Sequence, residues 1–374
     1  MQSLRCPITH NVFQDPVICS DGHTYERQAI TEWLRLHKKS PMTQQPMNIT
    51  TSQTNSIVKN IIDELNMGLR SSQNQHRFKL DVDIKRTAPR PLFQAFGKFI
   101  YEVEWIKKKG PQIILLKIDG AKATREASFY VQLSCHPYIV RTFGVVDSNP
   151  GSLMLLQERA PMGDLAELLR ENHFKPNEKA LCEIFIQLCE ALSFLSYNSI
   201  VHGDLACRNV LVFQMNATEP SSNLVKLTDF GLTRASSIFS VVDSSASSTM
   251  TVVPVRYAAP EILARMDGLS YSEKSDVYTM GVLMWEACSQ GVLPYSSAER
   301  DQDVRNRKLN DERLNQPLSC SPHLWTIINQ CWHRQPQDRP DFRSLKRLIS
   351  VILFTSGSKV QSVSTNNTTI VCTE

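Results

Sequence analysis

The chain has 374 residues, of which 41% are hydrophobic, and carries a formal net charge of +4 from 41 basic and 37 acidic side chains. Charge this small and mixed in sign points neither to nucleic acid nor to an anionic membrane surface, and the length suits two or three domains. The ten cysteines form no CxxC pair, which fits reduced thiols in the cytoplasm. The opening residues hold no apolar signal core, and no apolar run is long enough to span a bilayer.

The first seventy residues contain LRCPITHNVFQDPVICSDGHTYERQAITEWLRLHKKSPMTQQPMN. Val12–Phe13 and Val17–Ile18 flank Asp15-Pro16 and suggest a short irregular hairpin. Ser20-Asp21-Gly22 is a turn cluster. Thr24 is the expected cap of a helix running to about Leu36, with Ala29, Ile30, Trp33 and Leu34 on one apolar face. A second helix is expected from Asn55, with Ile57, Val58, Ile61, Ile62 and Leu65 on one side. Cys6, Cys19, His10, His23 and His37 are too few and too scattered to hold a pair of four-coordinate zinc ions.

This stretch resembles a U-box, the zinc-free relative of the RING fold found in ubiquitin ligases. The residues that carry the resemblance are Cys6-Pro7-Ile8, Asp15-Pro16-Val17, SDGHTYER, the IxxWL of Ile30–Leu34, and SPMT from Ser40. It implies that hydrogen bonds and ion pairs stand in for zinc, with Asp21, Tyr25, Glu26 and Arg27 as candidates. It also implies a shallow apolar groove for a ubiquitin-conjugating enzyme, formed by Ile8, Trp33 and Pro41; the alternative for Trp33 is a place in the core. Gln44 falls where such ligases often carry a polar side chain that steadies the charged conjugating enzyme. U-boxes often pair, and a dimer is compatible with this sequence.

Residues 71–91 are polar, basic and rich in proline towards the end. They read as an exposed linker, with a short strand expected at Phe78–Ile84. From Leu92 the pattern is strand, strand, turn, strand, the last being Ile113–Leu116 and ending in Lys117. Glu126 starts an apolar-patterned helix nine residues on and is the expected partner of Lys117. Leu153–Leu156 is a further strand, followed by Gln157 and Glu158–Ala160. Asn177–Tyr197 is a long amphipathic helix.

Two short apolar strands then each end at an acidic residue, Asp204 in HGDLACRN and Asp229 in DFG, with Asn209 between them. Two aspartates and an asparagine on neighbouring loops supply the hard oxygens that Mg2+ favours. Together these segments resemble the catalytic and metal loops of a protein kinase. The resemblance covers residues 92–354 and implies a bilobal kinase fold, so that the whole is α+β: a small RING-like, zinc-free U-box (residues 1–70), the linker, the kinase domain and a disordered tail (355–374).

The kinase resemblance implies ATP and Mg2+ as cofactors and protein substrates as partners. By family role Asp204 accepts the hydroxyl of the substrate, and Asn209 and Asp229 hold magnesium. Lys117, paired with Glu126, holds the nucleotide phosphates. Gly97 belongs to the phosphate-covering loop, and Glu158 and Ala160 to the hinge that meets adenine. Arg208, with Ala206 before it, matches the tyrosine-kinase pattern HRDLAARN, and PVRYAAPE and CWHRQPQDRPDF point the same way. Glu261 and Arg339 are expected to form a buried ion pair, and Asp276 to hold the catalytic loop.

Several positions depart from the family. The first two loop glycines are Leu92 and Gln94, Leu115 stands where a small residue roofs adenine, and the step from Lys117 to Glu126 is short. Gly203 replaces the arginine that pairs with an activation-loop phosphate, and no tyrosine lies between Gly231 and Pro254. Two readings follow: a tyrosine-directed kinase fused to a ubiquitin ligase module, or a ligase whose kinase fold is a non-catalytic substrate-binding pseudokinase. The second draws on the lost glycines, the first on the charged residues that remain.

Overall fold

The computed structural model describes residues 6–9, 15–21, 23–43, 45–47, 53–54, 77–95, 97–106, 109–120, 123–147, 152–171, 175–216, 219–235, 253–265 and 271–355. The second U-box helix, Gln44, the first part of the linker, the stretch after Ala235 and the tail beyond Thr355 lie outside the described residues. The chain divides into two compact units, Met1–His76 and Arg77–Glu374.

In the first unit β1 (Pro16–Ile18) pairs antiparallel with β2 (Thr24–Glu26), and helix α1 spans Arg27–His37. Strand β3 (Gln53–Thr54) pairs with the other side of β1. The helix starts later than the sequence suggests. Thr24 is in the strand, and Glu26 is the N-cap residue without a capping side chain. The Glu26 carboxylate accepts instead from the Asp15 N–H at 2.9 Å, which ties the hairpin together. Ile30 and Leu34 are buried with Cys6, Val17, Cys19, Tyr25 and Met47, and Ile8, Ala29 and Trp33 pack against this core.

The second unit begins with a curled sheet. Its strands are β4 (Arg77–Phe78), β5 (Ile84–Arg86), β6 (Phe93–Ala95), β7 (Lys98–Trp105), β8 (Ile113–Asp119), β9 (Thr142–Val146) and β10 (Ser152–Glu158). The order is β4-β9-β10-β8-β7-β5, with β6 also on β7. The sheet therefore recruits residues that read as linker in the sequence: Phe78 and Ile84 are buried on it beside Val103, Ile113 and Leu115. Helix α2 (Ala123–Leu133) packs on the opposite face.

The two faces follow from alternation along the strands. Residues Ile113 and Leu115 of β8, Met154 and Leu156 of β10 and Val103 of β7 share one small core. Leu116 and Ile118 of β8 and Leu155 of β10 belong to the other, continuous with α2 and the helical lobe.

Helices α3 (Leu165–Arg170) and α4 (Glu178–Tyr197) open the second lobe, both capped by side chains, Asp164 and Asn177. Helix α4 is apolar enough to match a membrane span, but two-thirds of that stretch is buried inside the lobe. Strands β11 (Ile200–Val201), β12 (Val210–Gln214), β13 (Leu224–Leu227) and β14 (Arg234–Ala235) carry the loops of interest, with β12 paired to β13 and β11 to β14. Helices α5 (Pro260–Arg265), α6 (Glu273–Cys288), α7 (Asp301–Leu309), α8 (Pro322–Cys331) and α9 (Phe342–Thr355) complete the lobe. Helix α6 is buried from Ser275 to Cys288, with polar Asp276 and Glu286 among its buried side chains.

Candidate active site

Asp204 lies just beyond β11, in a loop fixed from below by buried polar groups. Asp276, 3% exposed on α6, accepts from the N–H of His202 at 2.7 Å and of Gly203 at 3.0 Å. His202 is fully buried, and burial pulls its imidazole below the ordinary histidine range. Its Nδ1 accepts from the Asp204 N–H at 3.3 Å, so the other ring nitrogen carries the proton and donates to the Thr228 carbonyl at 3.0 Å. One neutral ring thus couples the Asp204 loop to the strand end that delivers Asp229.

Both oxygens of Asp204 are held. Arg208 Nη2 donates to Oδ1 at 2.6 Å, and Asn209 Nδ2 donates to Oδ2 at 3.1 Å and to the Asp204 carbonyl at 2.7 Å. Arg208 lies 5.0 Å over the ring of the buried Tyr257. Asn209 is itself 5% exposed, and its carbonyl accepts from the Thr228 N–H at 3.0 Å.

Asp229 adopts a left-handed backbone, φ 63°. Phe230 is buried against Tyr130 of α2, ring centroids 5.1 Å apart, and against His202 at 5.4 Å. That anchor turns Asp229 towards the sheet lobe. Its Oδ1 accepts from the Gly231 N–H at 3.0 Å and from Lys98 Nζ at 2.5 Å. Burial favours the neutral acid, but the Lys98 ammonium and the Gly231 hydrogen bond outweigh it and hold the carboxyl below its ordinary range.

The partner of Glu126 is also Lys98, at 2.7 Å. Lys117 sits elsewhere: its Nζ meets Asp119 at 3.0 Å and lies 5.1 Å over the ring of Phe99. The pairing expected from sequence, Lys117 with Glu126, is therefore not formed. The reason is register. Phe99 is opposite Lys117 and Lys98 is opposite Ile118. Lys117 thus shares a face with Leu115 and Ile113, away from α2, whereas Lys98 shares a face with Ile118 and Leu116, towards α2 and Asp229. Leu115 is turned away for the same reason and packs among Ile84, Val103 and Leu156.

Gly97 has φ +79°, and a Cβ there would come 3.2 Å from the Asp119 carbonyl oxygen. Glu158 ends β10; its carboxylate is occupied by Lys226 Nζ at 2.6 and 2.9 Å and by the Arg141 N–H at 2.7 Å. Ala160 follows where the chain crosses from the sheet to the helices. In the first unit Ile8, Trp33 and Pro41 are all partly buried, and Trp33 Nε1 donates to the Lys39 carbonyl at 2.8 Å.

The oxygen donors fit magnesium. Asp229 offers a carboxylate, and Asn209, whose amide nitrogen is engaged by Asp204, offers an amide oxygen, both hard donors of the kind Mg2+ takes. Sequence reasoning missed Lys98. A lysine directly after a hairpin glycine was visible, but only the strand register shows which face it occupies.

A strand-rich lobe joined to a helical lobe, with a carboxylate held by Arg and Asn beside the carboxylate of DFG, defines a protein kinase domain. The chain belongs to the protein tyrosine and serine/threonine kinase family, which matches residues 101–349, and a U-box domain matches residues 2–68. It is 32% identical over 228 residues to the human tyrosine-protein kinase TXK, covering 61% of this chain and 40% of that protein. It is 30% identical over 273 residues to an Ack-related non-receptor tyrosine kinase of Caenorhabditis elegans, covering 70% of this chain and 25% of that protein. The chain thus spans less than half the length of these relatives.

Proposed function

We propose that the chain is an ATP-dependent protein kinase directed at tyrosine, whose U-box recruits a ubiquitin-conjugating enzyme to ubiquitinate a substrate or the chain itself. The observation that carries the kinase reading is the grip on Asp204, with one oxygen on Arg208 and the other on Asn209. A carboxylate so fixed can accept the hydrogen of an incoming hydroxyl and aim its oxygen. That oxygen bonds to the γ-phosphorus as the bond to the departing ADP oxygen breaks, and the hydroxyl proton passes to Asp204. Asp229 and Asn209 are the residues that would hold magnesium, which when bound would supply positive charge against the phosphates. Arg208 supports tyrosine as the acceptor, since it stands four residues after Asp204, while the position two after it is Ala206. Both relatives named above are tyrosine kinases.

The test is incubation of the purified chain with Mg2+ and labelled ATP beside Asp229→Asn. Phosphotyrosine that disappears in the variant supports the proposal. Absence of transfer, in folded protein that still autoubiquitinates, supports the pseudokinase reading, with the U-box as the sole enzyme of the pair.

A further inference from the structure

We infer that Lys98, and not Lys117, is the cation through which the sheet lobe holds the phosphates of the bound nucleotide; the inference rests on the kinase reading above. Lys98 Nζ lies 2.7 Å from Glu126 on α2 and 2.5 Å from Asp229 beyond β13. It joins the hairpin, the helix and the loop that carries DFG. Its side chain is 20% exposed, so the ammonium reaches the cleft without being loose in solvent. Gly231 is shaped around it. A Cβ there would stand 3.0 Å from Lys98 Nζ, 3.1 Å from Asp229 Oδ1 and 3.3 Å from Glu126 Oε2.

Lys117 has none of these relations. It lies on the opposite face of the sheet, and its charge is answered by Asp119 on the same strand. No rotamer carries it through the sheet to Glu126. Moving the cation from β8 to the first residue of β7 also places it directly after Gly97. The hairpin has lost two glycines whose backbone could approach phosphate closely, and in their place it delivers an ammonium. A lysine acts on phosphate as a point charge, which needs reach rather than an exact fork geometry. The short step between Lys117 and Glu126 then constrains nothing, because those two residues do not pair.

Calorimetric titration of the full chain with ATP and with adenosine, both with Mg2+, separates phosphate recognition from pocket integrity. The variants are Lys98→Met, Lys98→Arg and Lys117→Met. Wild type binds ATP more tightly than adenosine. Lys98→Met loses about tenfold or more of that preference while its adenosine affinity is unchanged, Lys98→Arg keeps part of it, and Lys117→Met keeps all of it. A folded Lys98→Met that keeps the full ATP preference overturns the inference. Should Lys98→Met not fold, Lys98→Arg decides, since full retention of the preference there together with its loss in Lys117→Met overturns it. Loss of the ATP preference in Lys117→Met, alone or together with Lys98→Met, overturns the inference and leaves the kinase reading intact. A wild type that does not prefer ATP over adenosine overturns both.

Discussion

A Cβ on Gly203 would lie 2.9 Å from the carbonyl oxygen of Leu232, and Gly203 holds φ +80°. Both facts select glycine, so the residue that stands in place of the usual arginine is fixed by the backbone. The segment after DFG is instead held by its own contacts. Strand β14 pairs with β11, and Thr233 Oγ1 donates to the His202 carbonyl at 3.3 Å. Restoring arginine at 203 is therefore expected to damage the site. Gly203→Arg should cost about 1–3 kcal/mol of kinase-domain stability and lower phosphate transfer, and phosphatase treatment of the wild type should leave its transfer rate unchanged. Melting curves and initial rates check both; a faster Gly203→Arg enzyme would refute the account.

The order of domains and the two acidic loops were legible because each is carried by a contiguous motif, and the Glu261–Arg339 pair because each partner lies in a recognisable motif of its own. The Lys117 pairing was not. Motif spacing fixes position along a strand, but the face is set by register against β7, and a shift of one residue exchanges the two faces. From Arg77 on, the residues expected as linker, read with a short strand at Phe78–Ile84, instead supply two strands of the sheet, for a related reason. Their charges resemble those of a linker, while only three-dimensional pairing shows Phe78 and Ile84 closing the outer core of the sheet.

In the U-box, Asp21 should make stability depend on acid pH. Burial alone would raise its carboxyl, but the hydroxyls of Ser40 at 2.6 Å and Tyr25 at 2.7 Å, with the His23 N–H at 3.0 Å, reverse the effect and lower it. A carboxyl depressed in the folded state stabilises at every pH above its unfolded value. That contribution is lost as pH falls below about 4 and through the folded value. Asp21→Asn should unfold at lower denaturant at pH 6, by about 1–3 kcal/mol, and show less additional loss between pH 5 and 3 than wild type. Denaturant titrations read by tryptophan fluorescence would show it; parallel acid curves for both proteins would refute it.

Ile8 and Trp33 differ in what their loss should do. Ile8 packs at the edge of the U-box core, so Ile8→Ala should abolish autoubiquitination with little change in melting temperature. Trp33 also anchors the Lys39 carbonyl through its indole N–H, so Trp33→Ala should lose both activity and about 1–2 kcal/mol of stability, while Trp33→Phe keeps more of the ring contact. Ubiquitination assays beside thermal melts distinguish the two, and full activity in Ile8→Ala would remove it from the groove.

Arg339 binds three separate segments at once. Its guanidinium forms a fork on Glu261 at 2.7 and 2.8 Å, and also donates to the carbonyls of Lys274 and His333, each at 2.8 Å. The side chain is wholly buried and that of Glu261 is 22% exposed. Removing the carboxylate leaves a buried cation without its counter-ion, which costs more than the pair itself contributes. Glu261→Ala should therefore destabilise the helical lobe by about 3 kcal/mol, and Glu261→Gln, which keeps one acceptor, by less. Because Glu261 and the U-box belong to different compact units, the U-box transition in chemical denaturation should stay where it is. A shift of both transitions together would show that the units unfold as one.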